Sequence, residues 1–246
     1  MELTGIVFVT HDVEPDAVGD WCRWYDTEHL PEYVALPGVM GAQRYHATPE
    51  LHSLRGADPA APFADGRSTF LTIYHLCADD IVGTFKRMAE AGNGWASEGR
   101  LFTPGRSHSR HAELLRFDWA LPRPGLPVSA AALAHVRHSG IQAALGDVPD
   151  VAMRPAVADW YRTVHAPDVL EVPGFAVALR FASVQNAGRH LVLFLLDDEP
   201  AKAVRNVRTH VPEWRAAGRT PSPGGAARSV FNGPFRALPP LGLAGA

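Results

Sequence analysis

With 246 residues, 46% of them hydrophobic and 20% charged, and a net charge of −3, the chain has the composition of an ordinary globular protein that can bury a core. No basic stripe is present, so nucleic acid is not an expected partner. The longest purely apolar run, Leu191 to Leu196, is far short of the roughly 20 residues of a membrane-spanning helix, and no membrane is expected. Cys22 and Cys77 form no metal or redox pattern and the N-terminus lacks a basic leader, which together make the cytoplasm the expected location.

In chain order, Gly5–Thr10 alternates and is β-branched, as in a strand. Pro15–His29 follows as a helix, with Val18, Trp21, Cys22, Tyr25 and His29 at helical spacing and a proline near its start. Leu36-Pro37-Gly38 is a turn, Val39–His46 a second strand and Ser68–Leu76 a third. Between them, Ala47–Arg67 is rich in Pro, Gly, Ala and Asp and reads as an irregular insert. Asp79–Glu90 is a second helix opened by a capping aspartate, and His111–Leu121 a fourth strand. After a linker, Pro122–Pro127, the same series returns. A strand within Ala131–His138 precedes helix Arg154–His165, strands Phe175–Ser183 and His190–Leu196, helix Glu199–Ala217 and strand Arg228–Leu238. Leu238–Ala246 reads as a loose tail.

The two series are copies. WYDTEHLPEYVALPGVMGAQRY from Trp24 aligns without a gap to WYRTVHAPDVLEVPGFAVALRF from Trp160, at a constant offset of 136. Each copy has the order β-α-β-β-α-β, the ferredoxin-like unit, whose four-stranded antiparallel sheet carries helices on one face only. The bare face needs a partner, and a second copy in the same chain supplies it. The expected architecture is α+β: two tandem ferredoxin-like halves, 1–121 and 128–238, packed sheet to sheet.

The run W-Y-x-x-E-H-L-P-E-Y followed by L-P-G-V and R-Y resembles the EthD-like and related members of the dimeric α/β barrel superfamily, over most of the chain. That resemblance implies a pocket between helices and sheet in each half, in which small aromatic or polyketide-like substrates are often handled without a cofactor. The superfamily includes cyclases, isomerases, monooxygenases, lyases, haem enzymes and proteins of no known activity, so the fold alone does not set the reaction. Copy 1 matches the pattern with Glu28-His29, whereas copy 2 has Val164 in place of the glutamate and keeps His165.

His29 is the candidate proton-transfer group, since an imidazole beside a pocket works near neutral pH; equally, it could pack the helix end, as its counterpart His165 suggests. Asp26 and Glu28 are expected beside it, Asp26 as a group that orients the imidazole. Pro31 should kink or end the helix, which leaves Glu32 off this face. Tyr74 joins the catalytic candidates, and Trp24, Tyr25, Arg44 and His75 the substrate-binding ones. Tyr74 and His75 are strand neighbours, so only one can face the pocket. The equivalent strand of copy 2, LVLFLL, is apolar throughout, which marks copy 1 as the bearer of polar chemistry and copy 2 as scaffold. No HExxH, carboxylate–histidine triad, cysteine cluster, GxGxxG, P-loop or GxSxG occurs; no metal and no cofactor are expected.

The leading expectation is therefore a cofactor-independent lyase, isomerase/cyclase or dehydratase acting by acid–base catalysis on a small aromatic, cyclic or polyketide-like molecule. A monooxygenase or haem enzyme of the same fold is the alternative, and a non-catalytic small-molecule binding or stress-response protein a third. A homodimer of such chains is among the assemblies this allows.

Overall fold

The computed structural model describes residues 2–57, 63, 67–241 and 243. Half 1 contains β1 (Gly5–Val13), α1 (Val18–Trp24), α2 (Leu30–Val34), β2 (Val39–His46), α3 (Pro49–Ser53), β3 (Gly56–Ala57), β4 (Phe70–Leu76), α4 (Ile81–Ser97) and β5 (Ser107–Pro122). Half 2 contains β6 (Gly140–Asp147), α5 (Arg154–Trp160), α6 (Ala166–Glu171), β7 (Phe175–Ser183), β8 (Arg189–Leu196), α7 (Pro200–Ala216) and β9 (Arg228–Ala237).

The strands of half 1 lie in the order β2-β4-β1-β5 and those of half 2 in the order β7-β8-β6-β9, the same ferredoxin-like order twice. All pairs are antiparallel. β5 pairs with β7, and β2 pairs with β9 through Tyr45–Ala237 and His46–Arg236, so the two sheets close into one eight-stranded ring with the helices outside. The short β3 adds to β9 from outside that ring. Closure leaves almost no open sheet edge.

Alternation along the strands builds two layers of core. Ile6 and Phe8 of β1, Leu71 and Ile73 of β4 and Leu115 of β5 meet Ile141, Phe181, Leu191, Leu193, Phe231 and Phe235 of half 2 inside the ring. The alternate residues Val7, Tyr74 and Leu114 pack under the helices of half 1, and Val192, Phe194 and Leu196 under those of half 2. From Leu191 to Leu196 β8 is apolar at every position because both of its faces are buried.

Several expected elements shift. The strand expected within Ala131–His138 is a 3-10 turn, Ala130–His135, and the first strand of half 2 is β6 further on; its alanine-rich GIQAALGD lacks the β-branched signal. The helix expected over Asp79–Glu90 runs to Ser97, capped by Asp80. The described part of the insert contains α3 and β3; the remainder of Ala47–Arg67, except Phe63 and Arg67, lies outside the described residues. The described part of the tail is docked: Leu238 N–H donates to the Arg44 carbonyl, and Leu243 packs against the cluster that holds Trp21, Tyr25 and Phe70.

The helix of the repeated motif does not end at its proline. α1 runs into a π-helical turn, Tyr25–His29, and on into α2; α5, Tyr161–His165 and α6 repeat this. In the wide turns, Leu30 N–H donates to the Tyr25 carbonyl and Ala166 N–H to that of Tyr161, five residues back rather than four. Pro31 and Pro167 stand just beyond. In a regular α-helix their rings would collide with the carbonyls of Thr27 and Thr163, and the wider turn relieves that clash. The Pro-Gly turns that follow need glycine. Gly38 and Gly174 have φ of +92° and +102°, and a Cβ would lie 2.7 Å from Thr84 Oγ1 and 2.9 Å from the Ala203 methyl.

Candidate active site

Between the sheet and helices of half 1 lies a cavity of about 390 Å³. Val7, Val9 and His11 of β1, Tyr74 of β4 and Ala112 of β5 form its floor. The π turn contributes Tyr25 and His29, α2 contributes Tyr33, and α4 closes the side with Phe85, Met88, Gly92 and Asn93. A second space of about 330 Å³ adjoins it, sharing His11, Tyr25, His29, Leu101 and Ser109 and lined also by Trp21, Trp24 and Phe102.

The wide turn matters here because it sets Tyr25 and His29 over the same floor. The His29 ring stands 4.5 Å from that of Trp24, 4.7 Å from Tyr25 and 4.8 Å from Tyr33, centroid to centroid. Burial, with the nearby Arg44 charge, pushes the His29 imidazole down to about 4. It is therefore neutral at physiological pH and accepts protons. His11, packed against Trp21 and Tyr25, is pushed down to about 3, chiefly by burial, and its Nε2 has no hydrogen-bond partner among the described residues.

The phenols of Tyr25 and Tyr74 share a hydrogen bond of 2.9 Å. Burial raises the pKa of both, and burial pushes Tyr33 up to about 12, so all three stay protonated. Gly92 makes room for the Tyr33 hydroxyl: a Cβ there would lie 2.6 Å from it. The cavity thus has apolar walls, neutral imidazoles and phenols, and no lysine or arginine in its described lining.

Of the residues expected from the sequence, His29, Tyr25 and Tyr74 line the cavity and Trp24 lines the adjoining space, its indole N–H donating to the Arg100 carbonyl. The carboxylates do not gather at the imidazole. Asp26 turns to Arg44, 2.6 Å away, and accepts from the Leu241 N–H at 2.8 Å. Glu28 points into solvent. Arg44 also donates to the Cys22 carbonyl and sulfur and lies over the Trp21 and Tyr25 rings, a buried prop beneath the site rather than a substrate clamp. His75 lies on the opposite face of β4 from Tyr74, toward the ring interior, where burial and the neighbouring His135 and His138 push it down to about 4. His11 and Tyr33 went unnoticed in the sequence. Their signals are the two-residue alternation of Val7, Val9 and His11 and the four-residue step from His29 to Tyr33. Among the described residues, no group of three or more His, Cys, Asp or Glu is placed to hold a metal ion, and no helix is long and apolar enough to cross a membrane.

Ring closure, strand order and duplicated helical motif define the class: a duplicated ferredoxin-like protein of the dimeric α/β barrel type. The solved structures it resembles include a candidate monooxygenase from Fusobacterium nucleatum (TM-score 0.56, 9% identity, 97% of this chain and 94% of that one). An anthrone oxidase-like protein (TM-score 0.56, 11% identity, 97% and 92%) and a candidate chlorite dismutase (TM-score 0.55, 12% identity, 100% and 99%) are similar to the same extent. No protein-family model matches the chain, and no curated protein is similar to it in sequence. At these identities the likeness establishes the fold.

Proposed function

We propose that the half 1 cavity is the active site of a cofactor-independent oxidase or monooxygenase for a small, uncharged aromatic substrate of the anthrone type. The observation that carries this reading is a mostly apolar cavity of about 390 Å³ whose ionisable groups are neutral imidazoles and protonated phenols. That volume lies within the roughly 300–1,000 Å³ of ordinary small-molecule sites. An anionic substrate would find no counter-charge in the described lining.

His29 removes a proton from the activated methylene of such a ketone, and the Tyr25–Tyr74 pair, which has one O–H left beyond its mutual hydrogen bond, stabilises the charge that develops on the carbonyl oxygen. The electron-rich enolate is then the reductant for dioxygen. Overall, the methylene loses both hydrogens, one oxygen atom becomes the new carbonyl and the other leaves as water. Four electrons pass from carbon to oxygen, so no external reductant is needed. The first step is the one that a lyase, isomerase or dehydratase would use. The neighbours described as a monooxygenase and as anthrone oxidase-like support oxygen as the second reactant.

A haem does not suit these cavities. Its two propionates need cationic partners that the described half 1 lining lacks, and the corresponding cavity of half 2 measures only about 210 Å³.

The test is anthrone turnover, followed by oxygen uptake and anthraquinone absorbance. His29→Ala should lower the rate about 100- to 10,000-fold, the usual cost of losing a general base. His165→Ala should leave turnover intact and act on stability. A wild-type rate no higher than the spontaneous oxidation, or an unimpaired His29→Ala, would overturn the reading.

A further inference from the structure

The cavity of half 2 is not a vestige of the one in half 1. Its floor carries different side chains at equivalent strand positions. Val7 pairs with Tyr74 across β1 and β4; at the equivalent positions Gln142 pairs with Phe194 across β6 and β8. Ala112 faces Val9 across β5 and β1, and at that place half 2 has Asn232 opposite Ala144. At these places a carboxamide pair replaces a valine and an alanine, and a phenylalanine replaces Tyr74.

Gln142 is only 8% exposed, and its Nε2 donates to Asn232 Oδ1. Its Oε1 is buried with no hydrogen-bond partner. Turning either amide end for end changes which atom is unpaired but still leaves one. A buried polar atom left without a partner is costly, and on a side chain that lines a cavity it points to an occupant that satisfies it. A hydroxyl satisfies either orientation, because it both donates and accepts.

The wall of this cavity supports the same view. Leu54 and Gly56, from the insert of half 1, line it alongside Phe194, Trp214 and Arg208, whose guanidinium is held by the Leu54 carbonyl. The insert is fastened there: β3 pairs with β9, Glu50 pairs with Arg205 at 2.6 Å, and Arg208 donates to the Leu54 carbonyl. Half 2 joins its corresponding strands β7 and β8 by the short run Val184–Gly188, and the described lining of the half 1 cavity comes from half 1 alone. The described part of the insert that distinguishes the copies therefore forms one wall of the second cavity.

We propose that the half 2 cavity is a separate binding site for a small uncharged molecule with one hydroxyl on an apolar body, held by Gln142 beneath the insert. At about 210 Å³ it suits a single substituted ring better than the polycyclic substrate of half 1. The proposal stands independently of the reaction assigned to half 1.

4-Bromophenol is a suitable probe, with the protein labelled by 5-fluorotryptophan so that Trp214 reports half 2 while Trp21, Trp24 and Trp95 report half 1. The Trp214 fluorine resonance should titrate with the phenol, and bromine anomalous scattering from a soaked crystal should place the ring beside Gln142. Gln142→Leu should weaken the affinity read at Trp214 by roughly tenfold or more. Gln142→Met, which keeps the side-chain length, gives the same reading should leucine disturb the packing. Ala144→Phe, which fills the cavity, should abolish the Trp214 response and leave that of half 1 in place. A Trp214 resonance that does not move, or unchanged affinity in both Gln142 variants, overturns the site.

Discussion

Arg44 is 4% exposed and surrounded by partners: the Asp26 carboxylate, the Cys22 carbonyl and sulfur, and two aromatic faces. Such a charge is tolerable in the interior only while its counter-charge stays beside it. Removing one partner strands the other, at a cost of about 3–5 kcal/mol for a buried pair. Arg44→Leu should therefore lower stability by about that amount in denaturant titrations, whereas breaking an exposed pair such as Arg100–Glu32 should change it little. The same change removes a positive charge that depresses the His29 pKa, so the imidazole should titrate at higher pH in the variant. An NMR titration of the ring protons checks this, and an unshifted curve would mean that burial alone sets it. In the wild type, His29 is neutral down to about pH 4. The turnover profile should accordingly be flat between about pH 6 and 8, without the titration near 6.5 that an unperturbed histidine gives.

The duplicated helical motif is the element on which the site depends. Its wide turn occurs in both halves, at the same place, before the same proline. Where the local cause is repeated the geometry is repeated, including Thr27 and Thr163 bonding back to carbonyls four residues earlier, and Trp24 and Trp160 donating to Arg100 and Arg219. Pro31→Ala would restore an N–H donor and remove the clash, allowing the turn to tighten to an ordinary α-helix. Tyr25 and His29 would then rotate relative to the floor of the cavity. The expected result is a marked loss of anthrone turnover with a melting temperature close to that of the wild type. Equal loss of both would mean that the wide turn is needed for folding rather than for placing the histidine.

At the scale of the whole molecule, the packing of sheets and helices buries several histidines. His29, His75, His165 and His190 are each pushed down to about 4 and His11 to about 3, burial being the leading cause for all five. These groups stay neutral in the folded chain, while in the unfolded chain they take up protons near pH 6.5. Lowered folded-state values mean that their stabilisation is complete above about pH 6.5 and is lost as pH falls toward 4. Each contributes up to about 1.4 kcal/mol per pH unit in that window, against a total stability of about 5–15 kcal/mol. Cooperative acid unfolding should therefore begin below about pH 6.5 and finish well before the carboxylates titrate. Circular dichroism melts from pH 8 to pH 4 test it; a melting temperature that holds steady down to pH 4.5 would contradict the burial of these rings.

The duplication, the order of elements and the α+β architecture were legible in the sequence, because each rests on a local pattern: strand alternation, helical spacing, Pro-Gly turns and a gapless offset of 136. So were His29, Tyr25 and Tyr74, which lie on the inward faces of those elements. Its limits were equally physical. Asp26 looks like a partner of His29 along the chain, yet Arg44, arriving on β2 from 18 residues away, takes it instead. β6 escaped notice because alanines fill a strand that the ring buries on both sides. His11 reaches the cavity from another strand, and the insert crosses to half 2 to wall a cavity that local pattern assigned to scaffold. Which faces are apolar and where the chain turns are properties of neighbours in sequence, and the sequence alone determined them. Which charges pair, which polar atoms stay unpaired and which cavities close depend on residues brought together only when the two sheets join, and those the tertiary structure decided.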